Sequence, residues 1–361
     1  MSSPLPRSFS PHGTLDLPSP TISPSTLLPA RVLCSDGSTV ETTVLHSHSG
    51  AYYEIGETLK LTIYGQTRVG MFVELLDAGH LLFRRSGPLV AVKVYSRALL
   101  EANPDCPENL SNEIGIMQLI KEFVPSTTPP YVSIQSGGPY RYPNLVHMIE
   151  CCMDSVSFYN IMEFVPGKDL CDLIEKLDSL GQHFPEELAR KIFRNILDGV
   201  QTLHSLGVFH RDISLENLMI TDDLARCVVI DYGLGLLCQR DSTTGSFHLL
   251  PPLGPGGKRR FKAPELYSTE HTFDGSKADI WALGVVLFMI LTNKTPMDNA
   301  TVLDDGFRWI STGRLPILIR HWGFGDLSAA AVDLLTKLLD PVPSTRITLS
   351  QILDHPWMNV H

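Results

Sequence analysis

Within "FHRDISLENLMI", residues 209–220, Asp212, Glu216 and Asn217 crowd into one short turn between two apolar runs. Asn217 follows Asp212 by five residues, and Asp231, in "VVIDYG", follows Asn217 by fourteen. That spacing brings three oxygen-bearing side chains to the tips of neighbouring strands. Mg²⁺ prefers hard oxygen ligands and keeps phosphate oxygens in its shell, so Asn217 and Asp231 suit a magnesium-phosphate group. Asp212 is then the carboxylate able to accept a hydroxyl proton.

Positioning such a group requires strands before it and helices after it, and the hydrophobic pattern supplies both. From Arg31 to Tyr95 short β-type runs alternate with Gly, Asp and His turns, and Asp36-Gly37 in "RVLCSDGSTVETTVL" predicts a hairpin. From Pro185 the period changes. Leu188, Ile192, Ile196, Val200 and Leu203 fall at spacings of three and four, which predicts an amphipathic helix ending near Gly207. Further helices are expected at about 276–292 and 328–339. The order is a small β-rich lobe before a larger helical one, an α+β class with no internal repeat. Residues 1–30 are rich in Ser and Pro and poor in large apolar side chains, so they are expected to be a disordered tail. Their Ser-Pro steps, at Ser3, Ser10, Ser19 and Ser23, are candidates for proline-directed phosphorylation.

The 361 residues are 43% hydrophobic, enough for a sizeable core, and 29 Lys plus Arg against 39 Asp plus Glu give a formal charge of −10. That balance offers no electrostatic footprint for nucleic acid or anionic lipid. The apolar run from Trp281 to Leu291 is well short of the roughly 20 residues of a membrane span, so a buried helix and no membrane insertion are expected. The N-terminus lacks a basic start and an apolar stretch, which points to the cytoplasm, with the nucleus as the alternative. The seven cysteines are scattered and contain no C-x-x-C pair, so reduced, mostly buried thiols are expected.

Several motifs occur in one order: "VAVK" ending at Lys93, "HRDISLEN", "DYG" and "APE" at Ala263–Glu265. Together they resemble a eukaryotic-type protein kinase from about Tyr53 to Trp357. The resemblance implies a two-lobed fold, with a strand extension over 31–52, an N-lobe over 53–162 and a C-lobe over 166–358. It implies ATP and Mg²⁺, with Asp212 as base, Asn217 and Asp231 on the metal, and Lys93 on the α and β phosphates. Glu113, in "PENLSNEIGIMQLIKEF", would steady Lys93, with Glu108 the competing position. In "IMEFVPGKDL" the backbone of Glu163 and Val165 would bond the adenine edge behind Met162, and Asp169 would face the ribose. Ala91 and Met219 would cover the two adenine faces. Asp279 in "DIWALGV" would tie the catalytic turn from beneath, and Arg346 would pair with Glu265.

Three departures stand out. "YGQTRVGMF" at the expected phosphate loop has Gly65 and Gly70 but Thr67 at the middle glycine, where a Cβ crowds phosphate, and Phe72 where the family has a small Val against adenine, with Val73 taking that place if the register is one residue later. Ser214 stands where serine/threonine kinases carry a lysine that contacts the transferred phosphate. The family's Gly-Thr before the substrate loop is Gly257-Lys258, so Lys258 is a candidate to replace the missing charge. Ser242, Thr243, Thr244 and Ser246 lie in the segment from Asp231 to Glu265, with Arg211 available to a phosphate formed there. Residues 125–142 read as an inserted loop. "DIWALGVVLFMILTNKTP" and "ITLSQILDHPWM" resemble serine/threonine kinases, especially the calcium/calmodulin-dependent group, whereas "RRFKAPE" has some of the look of tyrosine kinases. The function implied is transfer of the ATP γ-phosphate to Ser/Thr hydroxyls of protein substrates, with an upstream activating kinase as a further partner. The alternative is a pseudokinase scaffold that binds protein partners.

Overall fold

At Pro29–Val32 exposed and buried residues alternate, Ala30 and Val32 inward and Pro29 and Arg31 outward, the two-residue period of a half-buried strand. The computed structural model describes residues 17 and 19–359, except 105, 107–108, 124–142, 242 and 253–255. Two units divide the chain, one drawn from residues 18–106 and 117–165, the other from 107–116 and 166–361.

The first unit is a closed β-barrel. Its strands are β1 (Ser23–Leu33), β2 (Thr39–Ser47), β3 (Tyr52–Thr62), β4 (Gly65–Asp77), β5 (Leu82–Ser96), β6 (Met148–Met153) and β7 (Ser157–Glu163). They run in the order β1-β2-β3-β4-β5-β7-β6, and β1 closes the ring on β6 through Ser23↔Cys152 and Pro24↔Met153. Along its other edge from β4, β5 is long enough to serve two neighbours: Val90–Ser96 pair with β7, and Leu82–Arg84 pair in parallel with Arg31–Leu33 of β1. The hairpin expected at Asp36-Gly37 joins β1 to β2, with Cys34 N–H donating to Ser38 O at 2.8 Å. Leu45, Tyr53, Phe72, Val90, Val92 and Ile161 form one core cluster, and Ala30, Val32, Val44, Val73 and Phe83 form a second. Between β2, β3 and β6 the Glu150 carboxylate accepts hydrogen bonds from Ser47 Oγ at 2.5 Å, Tyr53 Oη at 2.5 Å and Ser49 Oγ at 3.1 Å. Burial and that carboxylate push the Tyr53 phenol far above its ordinary range.

Two expectations are corrected here. Residues 23–30, expected in a disordered tail, form most of β1, because a strand can be ordered by its partners whatever its own apolar content: Ser25↔Ser47 through Leu33↔Thr39 are paired. Residues 1–16, with Ser3 and Ser10, lie outside the described residues, as do 124–142, which include the expected insertion. The expected phosphate loop over 64–72 is also displaced. The chain reverses at Ile63–Tyr64, with Thr62 opposite Gly65, so Gly65, Thr67, Gly70 and Phe72 all lie inside β4. Thr67 faces Lys93 across the sheet, and Phe72 is 7% exposed, its ring 4.8 Å from that of Tyr53. Gly65 is needed for close approach: a Cβ there would lie 2.1 Å from Val94 O. At Gly70 a Cβ would meet Val90 Cγ2 and Val92 Cγ2 at 3.0 Å each, so both glycines are occupied with packing.

Helices α1 (Arg97–Ala102) and α2 (Leu110–Glu122) follow β5. The second unit is mostly helical: β8 (Gly167–Asp169), α3 (Leu170–Ser179), α4 (Glu186–Ser205), β9 (Val208–Phe209), β10 (Leu218–Thr221), β11 (Cys227–Val229), β12 (Leu236–Leu237), α5 (Gly275–Thr292), α6 (Asp305–Ser311), α7 (Leu315–His321), α8 (Ala329–Leu338) and α9 (Leu349–Leu353). Ile192, Ile196, Val200 and Leu203 of α4 are all buried, the stripe that their spacing predicts. α5 is long and apolar enough to cross a membrane, yet 83% of its apolar stretch is buried inside the fold, as a core helix requires. All seven cysteines are free thiols, and burial pushes Cys152 and Cys227 up to about 12.

Phe83 is fully buried between the β1–β2 layer and β4. Phe83→Ala should lower the stability of the barrel unit by about 3–4 kcal/mol in urea unfolding, and a loss below about 1 kcal/mol would show that the added strands are not packed on it.

Candidate active site

The helix α4 delivers the chain into β9 and then into the turn His210-Arg211-Asp212. Asp279, on α5 and 1% exposed, fixes that turn. Its Oδ1 accepts from Arg211 N–H at 2.8 Å and its Oδ2 from His210 N–H at 3.0 Å. The ring of His204, on α4, donates from Nε2 to the same Oδ2 at 2.9 Å. Held this way, Arg211 takes φ 65°, a left-handed conformation that a non-glycine residue keeps only when its surroundings impose it. His210 is fully buried, its Nε2 facing Ile230 O at 3.1 Å and its Nδ1 facing Asp212 N–H at 3.3 Å, a pattern that selects the Nε2–H tautomer.

β10 and β11 pair as a hairpin through Leu218↔Val229, Met219↔Val228 and Ile220↔Cys227. One step beyond the Leu218↔Val229 pair, Ile230 N–H donates to Asn217 O at 3.0 Å, so Asn217 and Asp231 leave the hairpin side by side. The adjacent strand tips read from the spacing are thus formed. Asn217 Nδ2 donates to Asp212 Oδ2 at 2.8 Å and to Asp212 O at 2.8 Å, which leaves its amide oxygen as the atom to face a cation. The Asp231 carboxylate, at a residue with φ 64°, accepts from Gly233 N–H at 3.3 Å. An amide oxygen and a carboxylate on neighbouring tips are hard donors, and they fit Mg²⁺.

Lys258 reaches the turn from the segment before "APE". Its backbone N–H donates to Asp212 Oδ1 at 3.1 Å, and its Nζ donates to Asp212 Oδ2 at 3.1 Å and Ser214 Oγ at 2.8 Å. The preceding Gly257 has φ 75°, and a Cβ there would lie 2.9 Å from Arg211 O, so only glycine allows this approach. Arg211 itself donates to Leu234 O at 3.0 Å, and burial pushes its guanidinium below the usual range. Thr243 and Thr244, in the segment expected to carry phosphate, donate their N–H groups to Asp241 at 2.9 and 2.7 Å, and Ser242 lies outside the described residues.

Asp169 and Met219 face each other across β8 and β10, and Asp169 Oδ1 caps α3 by accepting from Asp172 N–H at 2.9 Å. In the barrel unit Ala91 sits opposite Met162 and Lys93 opposite Asn160 on β5 and β7. Lys93, Glu163 and Val165 are buried there, at 8%, 2% and 6% exposed. Glu113 lies in the first turn of α2 at 3% exposed, and its competitor Glu108 is outside the described residues. His204 was not anticipated from the sequence, although a histidine beside Leu203 on the apolar stripe of α4 was a visible signal.

Arg346, with its side chain wholly buried, forms a two-pronged pair with Glu265 at 2.7 and 2.9 Å and donates to Asp340 O at 2.8 Å, the partnership expected from the motif. Glu265→Ala would leave that cation buried and unpaired, so a loss of about 3–5 kcal/mol is expected in chemical unfolding. A loss under about 1 kcal/mol would mean that the backbone carbonyls alone hold Arg346.

The protein-family model described as Protein kinase domain matches residues 134–358. Among curated proteins, the chain is 29% identical over 310 residues to CBL-interacting protein kinase 20 of Oryza sativa subsp. japonica, covering 84% of this chain and 57% of that one. It is 35% identical over 217 residues to CBL-interacting serine/threonine-protein kinase 17 of Arabidopsis thaliana, covering 60% and 46%. With CBL-interacting protein kinase 5 of Oryza sativa subsp. japonica it shares 30% over 305 residues, 84% and 55% of the two chains. The chain spans about half the length of the curated relatives it matches. With the match running through the Asp212 turn, the Asn217–Asp231 pair and the Glu265–Arg346 bond, the chain belongs to the protein kinase domain family.

Proposed function

We propose that this chain is a serine/threonine protein kinase that transfers the γ-phosphoryl group of ATP to hydroxyls of protein substrates in the cytoplasm. The observation that carries the reading is the Asp212 carboxylate, held by Asn217 Nδ2 at 2.8 Å with the backbone of Asn217 tied to that of Ile230, next to Asp231. A base and two hard metal ligands, set by hydrogen bonds on one turn and the adjoining strand end, are what phosphoryl transfer asks of a protein: positioning and charge stabilisation.

In this reading Asp212 orients the acceptor hydroxyl and takes its proton. Mg²⁺, when bound by Asn217 and Asp231, supplies charge neutralisation on the phosphate oxygens. Lys93 holds the α and β phosphates and Glu113 steadies it. Ala91, Met162, Met219 and the backbone of Glu163 and Val165 receive the adenine, and Asp169 the ribose. The loop over the phosphates is the turn at Lys60–Gly65, which keeps one glycine where the family motif has three. The serine/threonine preference is supported by the name of the Arabidopsis relative and by the segments around Asp279 and Trp357, which are also the ground for placing the chain nearest the calcium/calmodulin-dependent group. Regulation by an upstream kinase belongs to the same proposal.

The test is transfer of labelled phosphate from Mg·ATP to the protein itself and to a mixed protein substrate, with acid hydrolysis of the product. Phosphoserine and phosphothreonine are expected, with Asp212→Asn and Lys93→Met each reducing transfer by at least about 10²-fold. Folded wild-type protein that transfers nothing, with or without treatment by an upstream kinase, would instead support a scaffold.

A further inference from the structure

We infer that Lys258 supplies the cation that meets the transferred phosphoryl group, with Ser214 as the residue that positions it. The inference rests on the kinase reading and names a residue that the family motif does not place. At the position of Ser214 the motif carries a lysine, so the catalytic turn of this chain has lost a charge. The charge is restored from another segment. The ammonium of Lys258 stands between Asp212 Oδ2 at 3.1 Å and Ser214 Oγ at 2.8 Å, within reach of the atom on which the acceptor hydroxyl must dock.

Both ends of Lys258 are fixed on the same carboxylate. Its N–H bonds Asp212 Oδ1 and its Nζ bonds Asp212 Oδ2, so the long stem closes a loop over Asp212 instead of extending into solvent. The glycine before it, pressed against Arg211 O, brings the backbone close enough for this. Ser214 is fully buried and presents a small acceptor to Nζ, whereas a lysine there would bring a second cation to the same turn. Serine at 214 and lysine at 258 therefore need each other.

The ammonium also keeps capacity for a substrate. Of its three N–H donors, Asp212 and Ser214 take two, and Glu216 Oε2, at 4.0 Å, is beyond hydrogen-bond range. The side chain is 37% exposed, so Nζ is reachable from outside. During transfer the bond from γ-phosphorus to the ADP oxygen breaks, a new one forms to the acceptor oxygen, and the hydroxyl proton passes to Asp212. Lys258 stays protonated and stabilises the negative charge on the phosphoryl oxygens. Because this cation comes from the segment before "APE", it is in place only while residues 256–262 lie against Asp212. Assembly of the protein-acceptor loop and completion of the catalytic charge are thus one event.

The experiment compares wild type, Lys258→Thr, and the swap Ser214→Lys with Lys258→Thr, measuring kcat, the KM for a peptide acceptor and thermal melting. Lys258→Thr should lower kcat by about 10²-fold or more with the peptide KM within about threefold, the size expected for removing one preorganised charge. The swap should return kcat to within about tenfold of wild type, a rescue that a purely structural role for Lys258 would not give. A kcat for Lys258→Thr within about threefold of wild type would overturn the inference, as would a swap no better than the single variant while melting like wild type. Wild-type protein that transfers no phosphate would overturn the kinase reading and this inference together, whereas wild-type transfer abolished by Asp212→Asn but untouched by Lys258→Thr would overturn this inference alone.

Discussion

A carboxylate that is 1% exposed has lost its water, and Asp279 is sustained by three donors that replace it: His204 Nε2 and the backbone N–H groups of His210 and Arg211. Two of the three belong to the turn that carries Asp212, so satisfying the buried charge and freezing the turn are one interaction. Arg211 is held at φ 65° by it, and Asp212 leaves the turn in a direction that lets Asn217 bond both its carbonyl and its carboxylate. From Asn217 the order passes to Ile230 and hence to Asp231. Each step uses a group that would otherwise be buried without a partner, which is why so short a stretch is so densely bonded.

The helical unit holds Arg346 and Lys258 differently, and the difference follows use. Arg346 is wholly buried, bonded to Glu265 and to the carbonyls of Asp340 and Lys277, and its planar fork is filled. Lys258 is partly exposed, with a flexible stem and a donor to spare. The first arrangement suits a fixed strut between Glu265 and the end of the domain, the second a group that must touch something that arrives and departs. Nearby, burial pushes Lys262 below its ordinary range and the charge of Arg211 adds to that, so cations are concentrated around the turn in a chain whose formal charge is −10.

In the barrel unit the governing constraint is the sheet edge. An open edge leaves unpaired N–H and C=O groups, and closure removes them. β1 and β2 provide the closure, with β5 serving β1 over its first residues and β7 over its last. Phe83 and Val32 fill the space that results, and the Glu150 carboxylate ties β2 and β3 to β6 with three hydroxyl donors. The stiffness of β5 is inherited by Ala91 and Lys93, whose cross-strand partners are set by the same register.

What the sequence determined by itself was whatever is written locally. Helix α4 could be read from one apolar stripe, α5 from a continuous apolar run, and the Asp212, Asn217 and Asp231 set from spacing, because a turn and a two-strand hairpin have few ways to be built. The Glu265–Arg346 bond was also legible, through motif resemblance, since a buried arginine must find a carboxylate. Tertiary structure decided the rest. Residues 23–30 look disordered by composition and become a strand only because β2 and β6 accept their backbone groups. The turn at Ile63–Tyr64 is placed by the cross-strand register of β3 against β4, which glycine spacing did not reveal. The partnership of Lys258 with Ser214 was suggested by the paired departures from the family motif, but its geometry spans 44 residues and depends on a glycine packed against Arg211 O, so only the fold makes it. Pairings between distant segments are set by backbone hydrogen bonds and burial that exist only once the chain has folded.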